Sequence, residues 1–166
     1  FQNRSMEVRV VSTEGTKSPL PDLRIERIET IPIRVPLDRV YKGSHYQMTH
    51  RSTIITRIHM ACGIVGEAYA GDEDAGLGEI DGIIHREIAP KLIGEDAFAI
   101  ERLWEIARPA TWDILRDRRL GLVATACIDV ALWDAIGQAL GTPLWKLWGG
   151  YRDSVPVLTI GGYYAA

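Results

Sequence analysis

Ala126-Cys-Ile-Asp-Val-Ala-Leu-Trp-Asp-Ala-Ile-Gly-Gln-Ala-Leu-Gly-Thr-Pro-Leu-Trp-Lys-Leu-Trp-Gly-Gly150 is an apolar helical stretch closed by Gly-Thr-Pro and a Gly-Gly pair. Traced backwards, the pattern predicts the longest helix of the chain over 119–140. Gly141 suits its C-cap, Pro143 opens a further short helical turn, and Gly149-Gly150 breaks the chain. Asp129 and Asp134 interrupt the apolar surface. A carboxylate flanked by Val, Leu and Trp must be paired or hydrogen-bonded if buried, so both are expected to serve structure and not catalysis. Trp133, Trp145 and Trp148 are expected to pack in the core and at a domain interface.

Two shorter helices precede it. Leu77, Ile80, Ile84 and Ile88 fall on one face at helical spacing, with Pro90 and Gly94 as the expected end. Asp96 is the expected N-cap of the next helix, which carries Ile100, Leu103, Trp104 and Ala107 and must stop before Pro109. Strands come earlier still. Ile25, Ile28, Ile31, Ile33 and Val35 alternate with polar neighbours, Thr53 to His59 form a second run, and Ala61-Cys-Gly63 turns into a third, Ile64 to Tyr69. These three make an antiparallel meander, with Gly66 marking a bulge or a close backbone approach. Strands first and helices afterwards indicate an α+β fold, a three-stranded meander followed by a helical bundle.

Composition narrows the function classes. The chain has 166 residues, 46% of them hydrophobic, enough for one substantial core. A net charge of -3 offers no basic field for nucleic acid. Asp129 and Asp134 break the longest apolar stretch before it reaches the ~20 residues a bilayer span needs, so no membrane partner is expected. Cys62 and Cys127 make no disulfide framework and no secretory signal pattern is present, which points to the cytoplasm. Residues 1–22 read as a flexible leader; Phe1-Gln2 suits the remnant of a cleaved tag and Met6 a natural start.

Several chemical motifs fail on spacing. Asp72, Glu73, Asp74 and Glu79 do not make a calcium loop, because the position that requires glutamate is Ile83. Gly76 and Gly78 lack the third glycine of a dinucleotide loop, and no phosphate-loop Gly-Lys-Ser/Thr occurs. Arg116, Arg118 and Arg119 read as a solvated face or an intersubunit ion-pair surface.

The segment Asp38 to Arg51, joining the first two strands, carries the functional content. At about a dozen residues it exceeds the two to five of an ordinary hairpin connection, as binding loops do. Tyr41, Lys42, Ser44, His45, Tyr46 and His50 supply donors, acceptors and a fixed cation suited to a hydroxylated carboxylate, with Gly43 placed to act as a hinge.

The Gly66-Glu67 strand end, the Ile93-Gly-Glu-Asp96 junction and the Ala126–Gly150 block resemble the N-terminal capping domain of the enolase superfamily, in its mandelate racemase and muconate lactonizing group. The resemblance implies an enolase-type cap over 23–150 and the start of a truncated (β/α) barrel over 151–166. Val155 to Gly161 has the apolar, β-branched composition of a first barrel strand. A complete barrel needs at least about 200 residues and eight strand-helix units.

The resemblance further implies a loop that closes over the barrel mouth, so Tyr41, Lys42, His45, Tyr46 and His50 are the expected substrate-binding lid, joined by Tyr69 from the turn after the third strand. The parent enzyme it implies abstracts the proton α to a carboxylate with Mg2+ stabilising the enolate, as an acid-sugar dehydratase or a 2-hydroxyacid racemase acting as a homo-oligomer. Catalytic residues and metal ligands would belong to later barrel strands, and none is expected in this chain, which alone should be inactive. The alternative is a stand-alone binding or oligomerisation module that uses its lid and Trp-rich helix end; the apolar 155–160 run would then lie uncovered.

Overall fold

A computed structural model describes residues 20–45, 47–71 and 76–158. Strands β1 (Ile25–Lys42), β2 (Gln47–Met60) and β3 (Val65–Tyr69) form an antiparallel sheet in the order β1-β2-β3. Helices α1 (Leu77–Ile83), α2 (Ala89–Leu92), α3 (Ile100–Ala107), α4 (Arg118–Ala139) and α5 (Leu144–Leu147) follow. This is the α+β order that the sequence predicts.

The core lies between one sheet face and the helices. Ser52, Ile54, Thr56, Ile58 and Met60 of β2 alternate into it, and Leu77, Ile80, Ile84, Ile88 and Leu92 meet them from the helical side. β1 corrects one expectation. A register shift between Ile25 and Arg27 reverses the phase of the strand, as an inserted residue must when side chains alternate. Ile25 and Ile28 are buried, whereas Ile31, Ile33 and Val35 fall on the outer face, where Val35 is 52% exposed. Pro32 and Pro36 are tolerated because β1 is an edge strand.

The contact that joins sheet to helices is made at Gly66. A Cβ on Gly66 would lie 2.0 Å from the Ala131 carbonyl oxygen and 2.9 Å from the Ala135 Cβ. The expected glycine feature is therefore a close approach of β3 to α4. The Asp134 carboxylate accepts from the Glu67 amide at 2.9 Å and from Gln138 Nε2 at 2.8 Å, and Gln138 also donates to the Val65 carbonyl at 2.9 Å. Asp134 thus bonds neighbouring backbone, as its apolar surroundings require. By length and composition α4 could cross a membrane, contrary to the expectation that its aspartates forbid it; 61% of its most apolar window is buried inside the fold.

The helix ends differ from the sequence reading in three places. Pro90 does not end the first helix, because α1 continues through a π-helical turn, Ile84–Ile88, into α2. The wider turn relieves the clash between a proline ring and the carbonyl four residues before it. Gly94, at φ +87°, makes the stop. Asp96 caps a turn three residues early: its side chain accepts from the Phe98 amide at 3.0 Å, and an isolated bridge to Arg24 holds it extended, so α3 begins only at Ile100. Asp117 is the N-cap of α4, accepting from the Arg119 amide at 2.9 Å.

Three further expectations change. Val155 to Leu158 form no strand and are exposed, because a parallel barrel strand needs neighbours on both sides and none pairs here; residues 159–161 lie outside the described residues. Trp145 and Trp148 are exposed, and Trp148 meets the half-buried Trp133 edge-on at 5.4 Å. Arg116 is not part of a solvated cluster. It is largely buried, paired with Glu87 at 2.6 and 3.2 Å, and donates to the Ala110 carbonyl.

Substituting Gly66→Ala forces the Ala131 carbonyl away and is expected to cost about 3 kcal/mol, lowering the melting midpoint by about 6–12 °C. Thermal denaturation followed by far-UV circular dichroism measures it. A shift within a degree of wild type would mean that β3 and α4 are not in this contact.

Candidate functional site

The expected lid loop is mostly strand. β1 runs to Lys42 and β2 starts at Gln47, with Tyr41 opposite Met48 and Lys42 opposite Gln47, so only 43–46 are left for the turn. The β-branched and aromatic Val40, Tyr41 and Thr49 favour extended backbone, and a second register shift, between Pro36 and Tyr41, absorbs the unequal strand lengths. Gly43 therefore sits in a tight hairpin turn.

Four of the predicted residues, Tyr41, Lys42, His45 and His50, can be placed on this hairpin. Tyr41 is half-buried; its hydroxyl accepts from Arg39 Nε at 3.0 Å, and the Arg39 guanidinium lies 5.1 Å from its ring centroid. Lys42 is exposed beside the turn, and His45 is exposed within it. Tyr46 lies outside the described residues. His50 is half-buried, opposite Pro36, with Nδ1 2.8 Å from Thr49 Oγ1 and 3.5 Å from Arg34 Nη2.

Tyr69 is not with them. It pairs with Ile55 on the outer face, 79% exposed, whereas His50 is in phase with Ser52 and Ile54 on the helical side. Tyr41 instead lines a hollow of about 180 Å3 with Leu37, Met48 and Arg51. Tyr69 borders a separate hollow of about 360 Å3 with Thr53, Ile55 and Glu67.

Electrostatics add what the sequence reading missed. Between Arg34 and Arg51 the hairpin carries four fixed cations, Arg34, Arg39, Lys42 and Arg51, against the one carboxylate of Asp38. The sequence analysis took Lys42 as the one fixed cation: Arg34 lay in the expected first strand, and Arg39 and Arg51, though inside the segment, were not drawn on. Cross-strand pairing, which brings 34–42 beside 47–52, gathers them at one end of the sheet. Such an arrangement favours an anionic ligand.

Towards the other end of the sheet, Arg27, Glu29 and His59 form a compact charged group. His59 Nε2 lies 2.6 Å from Arg27 Nη2 and 3.1 Å from Glu29 Oε2, and Arg27 donates to Glu29 at 2.9 Å. The His59 hydrogen bond, followed by that from Arg27, holds the Glu29 carboxyl below its ordinary value. Between β1 and α1, the Thr30 hydroxyl bonds the Asp81 carboxylate and lies 2.7 Å from His85 Nε2. Among the described residues no three His, Cys, Asp or Glu side chains gather to hold a metal ion, so the donors present do not fit a magnesium site.

A sequence profile of the mandelate racemase / muconate lactonizing enzyme N-terminal domain matches residues 27–149, and the chain belongs to that family. A solved mandelate racemase/muconate lactonizing enzyme is 63% identical, with a TM-score of 0.81, over 86% of this chain and 39% of its own. Another, from a marine actinobacterium and in complex with magnesium, is 58% identical, with a TM-score of 0.75, over 86% of this chain and 37% of its own. The 3,6-anhydro-alpha-L-galactonate cycloisomerase of Streptomyces coelicolor is 35% identical over 137 residues, 80% of this chain and 37% of that protein. The chain thus spans under two-fifths of the relatives it matches.

Because the folded Glu29 value is lowered, its contribution to stability is complete above the ordinary carboxylate range and is lost as pH falls through the lowered value. Glu29→Gln should therefore lower the melting temperature more at about pH 7 than at a strongly acidic pH below the lowered value, where the carboxyl has taken up its proton and has no charge to lose. Circular dichroism melts at the two pH values test this; an equal loss at both would assign Glu29 a packing role instead.

Proposed function

We propose that this chain is the substrate-capping domain of a magnesium-dependent enzyme that abstracts the proton α to a carboxylate, an acid-sugar dehydratase or 2-hydroxyacid racemase. The observation that carries the reading is the cationic hairpin end, where Arg34, Arg39, Lys42 and Arg51 accompany Tyr41, His45 and His50. Fixed cations select a carboxylate, and the phenol and imidazoles supply the directional donors and acceptors that distinguish one hydroxylated acid from another. Family membership and the acid-sugar relative support the same class.

In this reading the hairpin closes a site whose base and metal ligands are held by a barrel domain of the parent enzyme. Magnesium would stabilise the enolate there. The cap binds and orients the acid and excludes water; no proton transfer is assigned to its residues. Tyr69, on the opposite sheet face, approaches the same site only if the barrel wraps the β3 edge. The parent enzyme works in the cytoplasm as a homo-oligomer.

The test is a parent-length enzyme assayed with magnesium against a panel of acid sugars and 2-hydroxyacids, beside the 166-residue chain alone. The short chain should show no turnover. In the long enzyme, His50→Ala and Lys42→Ala should each raise KM for the preferred acid by about tenfold, the loss of roughly 1.4 kcal/mol of binding, with smaller changes in kcat. Unchanged kcat/KM in both variants would remove the hairpin from the substrate site.

A further inference from the structure

The hairpin end of the sheet carries more positive charge than one carboxylate can meet. Four fixed cations against the single Asp38 give the segment from Arg34 to Arg51 a net charge of +3, in a chain whose total is -3. Arg39 and Lys42 form no ion pair among the described residues. Arg39 Nε donates to the Tyr41 hydroxyl at 3.0 Å while its guanidinium lies 5.1 Å from the Tyr41 ring, which fixes both side chains. Tyr41 in turn encloses, with Leu37, Met48 and Arg51, a hollow of about 180 Å3. A complete small-molecule site measures about 300–1,000 Å3, so this hollow takes one end of a molecule. Its chemistry suits an anionic head against Arg51, whose planar fork matches a carboxylate or a phosphate, with a short carbon chain against Leu37 and Met48.

The residue types of the segment favour charge over hydroxyls at that end. Recognition of hydroxyl groups asks for acceptors as well as donors, and from Arg34 to Arg51 there is one carboxylate, Asp38, and one side-chain amide, Gln47. An uncharged polyol tail would leave the cations without partners as the hairpin closes, and a desolvated charge without a partner is costly. The carboxylate next to the abstracted proton does not meet this need. In the functional reading it lies beside the base, which belongs to the barrel. The cations of the cap therefore face the other end of the acid.

We propose that the hollow lined by Leu37, Tyr41, Met48 and Arg51 is the subsite for a second anionic group, so that the acid taken by the parent enzyme is a dianion with a carboxylate or a phosphate at the end remote from the reacting carbon. Arg51 pairs with that group, and Arg39 and Lys42 supply the surrounding positive field. The proposal rests on the hairpin being part of the substrate site and names the class of acid that the site takes.

The test compares, in a parent-length enzyme, a panel of aldarates with the aldonates of the same configuration and with those aldonates phosphorylated at the terminal hydroxyl. The dianions should exceed the aldonates in kcat/KM by at least about a hundredfold, and the better of the two dianion types names the group that the hollow holds. Arg51→Met should lower this preference at least about tenfold through KM for the dianion. Arg51→Lys, which keeps the charge without the fork, should restore part of it. Arg51 is exposed; if far-UV circular dichroism nevertheless shows the methionine variant unfolded, Arg39→Gln, at a position likewise exposed, should lower the same preference. Aldonates turned over as well as the dianions, no turnover of any dianion, or a preference indifferent to these substitutions overturns the proposal. Failure of the hairpin assignment looks different, because His50→Ala and Lys42→Ala then alter kcat/KM for no acid. With the hairpin in the site and the dianion subsite wrong, they raise KM for aldonates and dianions alike.

Discussion

The fold depends on how closely β3 approaches α4. A side chain at position 66 would occupy the space of the Ala131 carbonyl, so only glycine lets helix and strand meet. Once they do, Asp134 takes the Glu67 amide and Gln138 donates to the Val65 carbonyl, satisfying backbone groups that an edge strand would otherwise leave open. Ala124, Ile128, Ala131 and Ala135 are buried on the same side of α4. Small residues at the contact thus convert a long apolar helix into the lid of a single core.

Burying that side of α4 exposes the other. Arg118, Leu122, Asp129 and Trp133 follow the opposite stripe and meet α3 across the hollow flanked by Trp104 and Trp112. The same helix therefore serves the core with one face and leaves aromatic and charged side chains accessible on the other. At the far end of the sheet, β1 and β2 run on as a paired ribbon, and pairing collects cations from both strands.

Much of this was legible residue by residue. The 3.6 period from Leu77 to Ile88 identified a buried helical face, and Gly141 with Pro143 marked the end of α4 because glycine and proline act through local backbone geometry alone. Asp134 was readable as a structural hydrogen-bond acceptor from its apolar neighbours. The hairpin was misread as a loop because Asp38, Lys42, Gly43 and Ser44 are poor strand formers, whereas cross-strand hydrogen bonds override local propensity. Tyr69 was joined to the lid by the family resemblance, and strand alternation puts it on the opposite sheet face from His50. Trp104 was read on the second helical face, but a helical pattern does not say which residues of a face stay uncovered.

The sequence by itself determined the order of elements, the α+β class and the family, because periodicity, caps and motif spacing are properties of short stretches of chain. Tertiary structure decided which face each residue occupies. A single inserted residue near Ile25 turns Ile31, Ile33 and Val35 outward, and strand pairing gathers Arg34, Arg39, Lys42 and Arg51. Those outcomes depend on contacts between residues far apart in the chain, where one step in register reverses every side chain that follows.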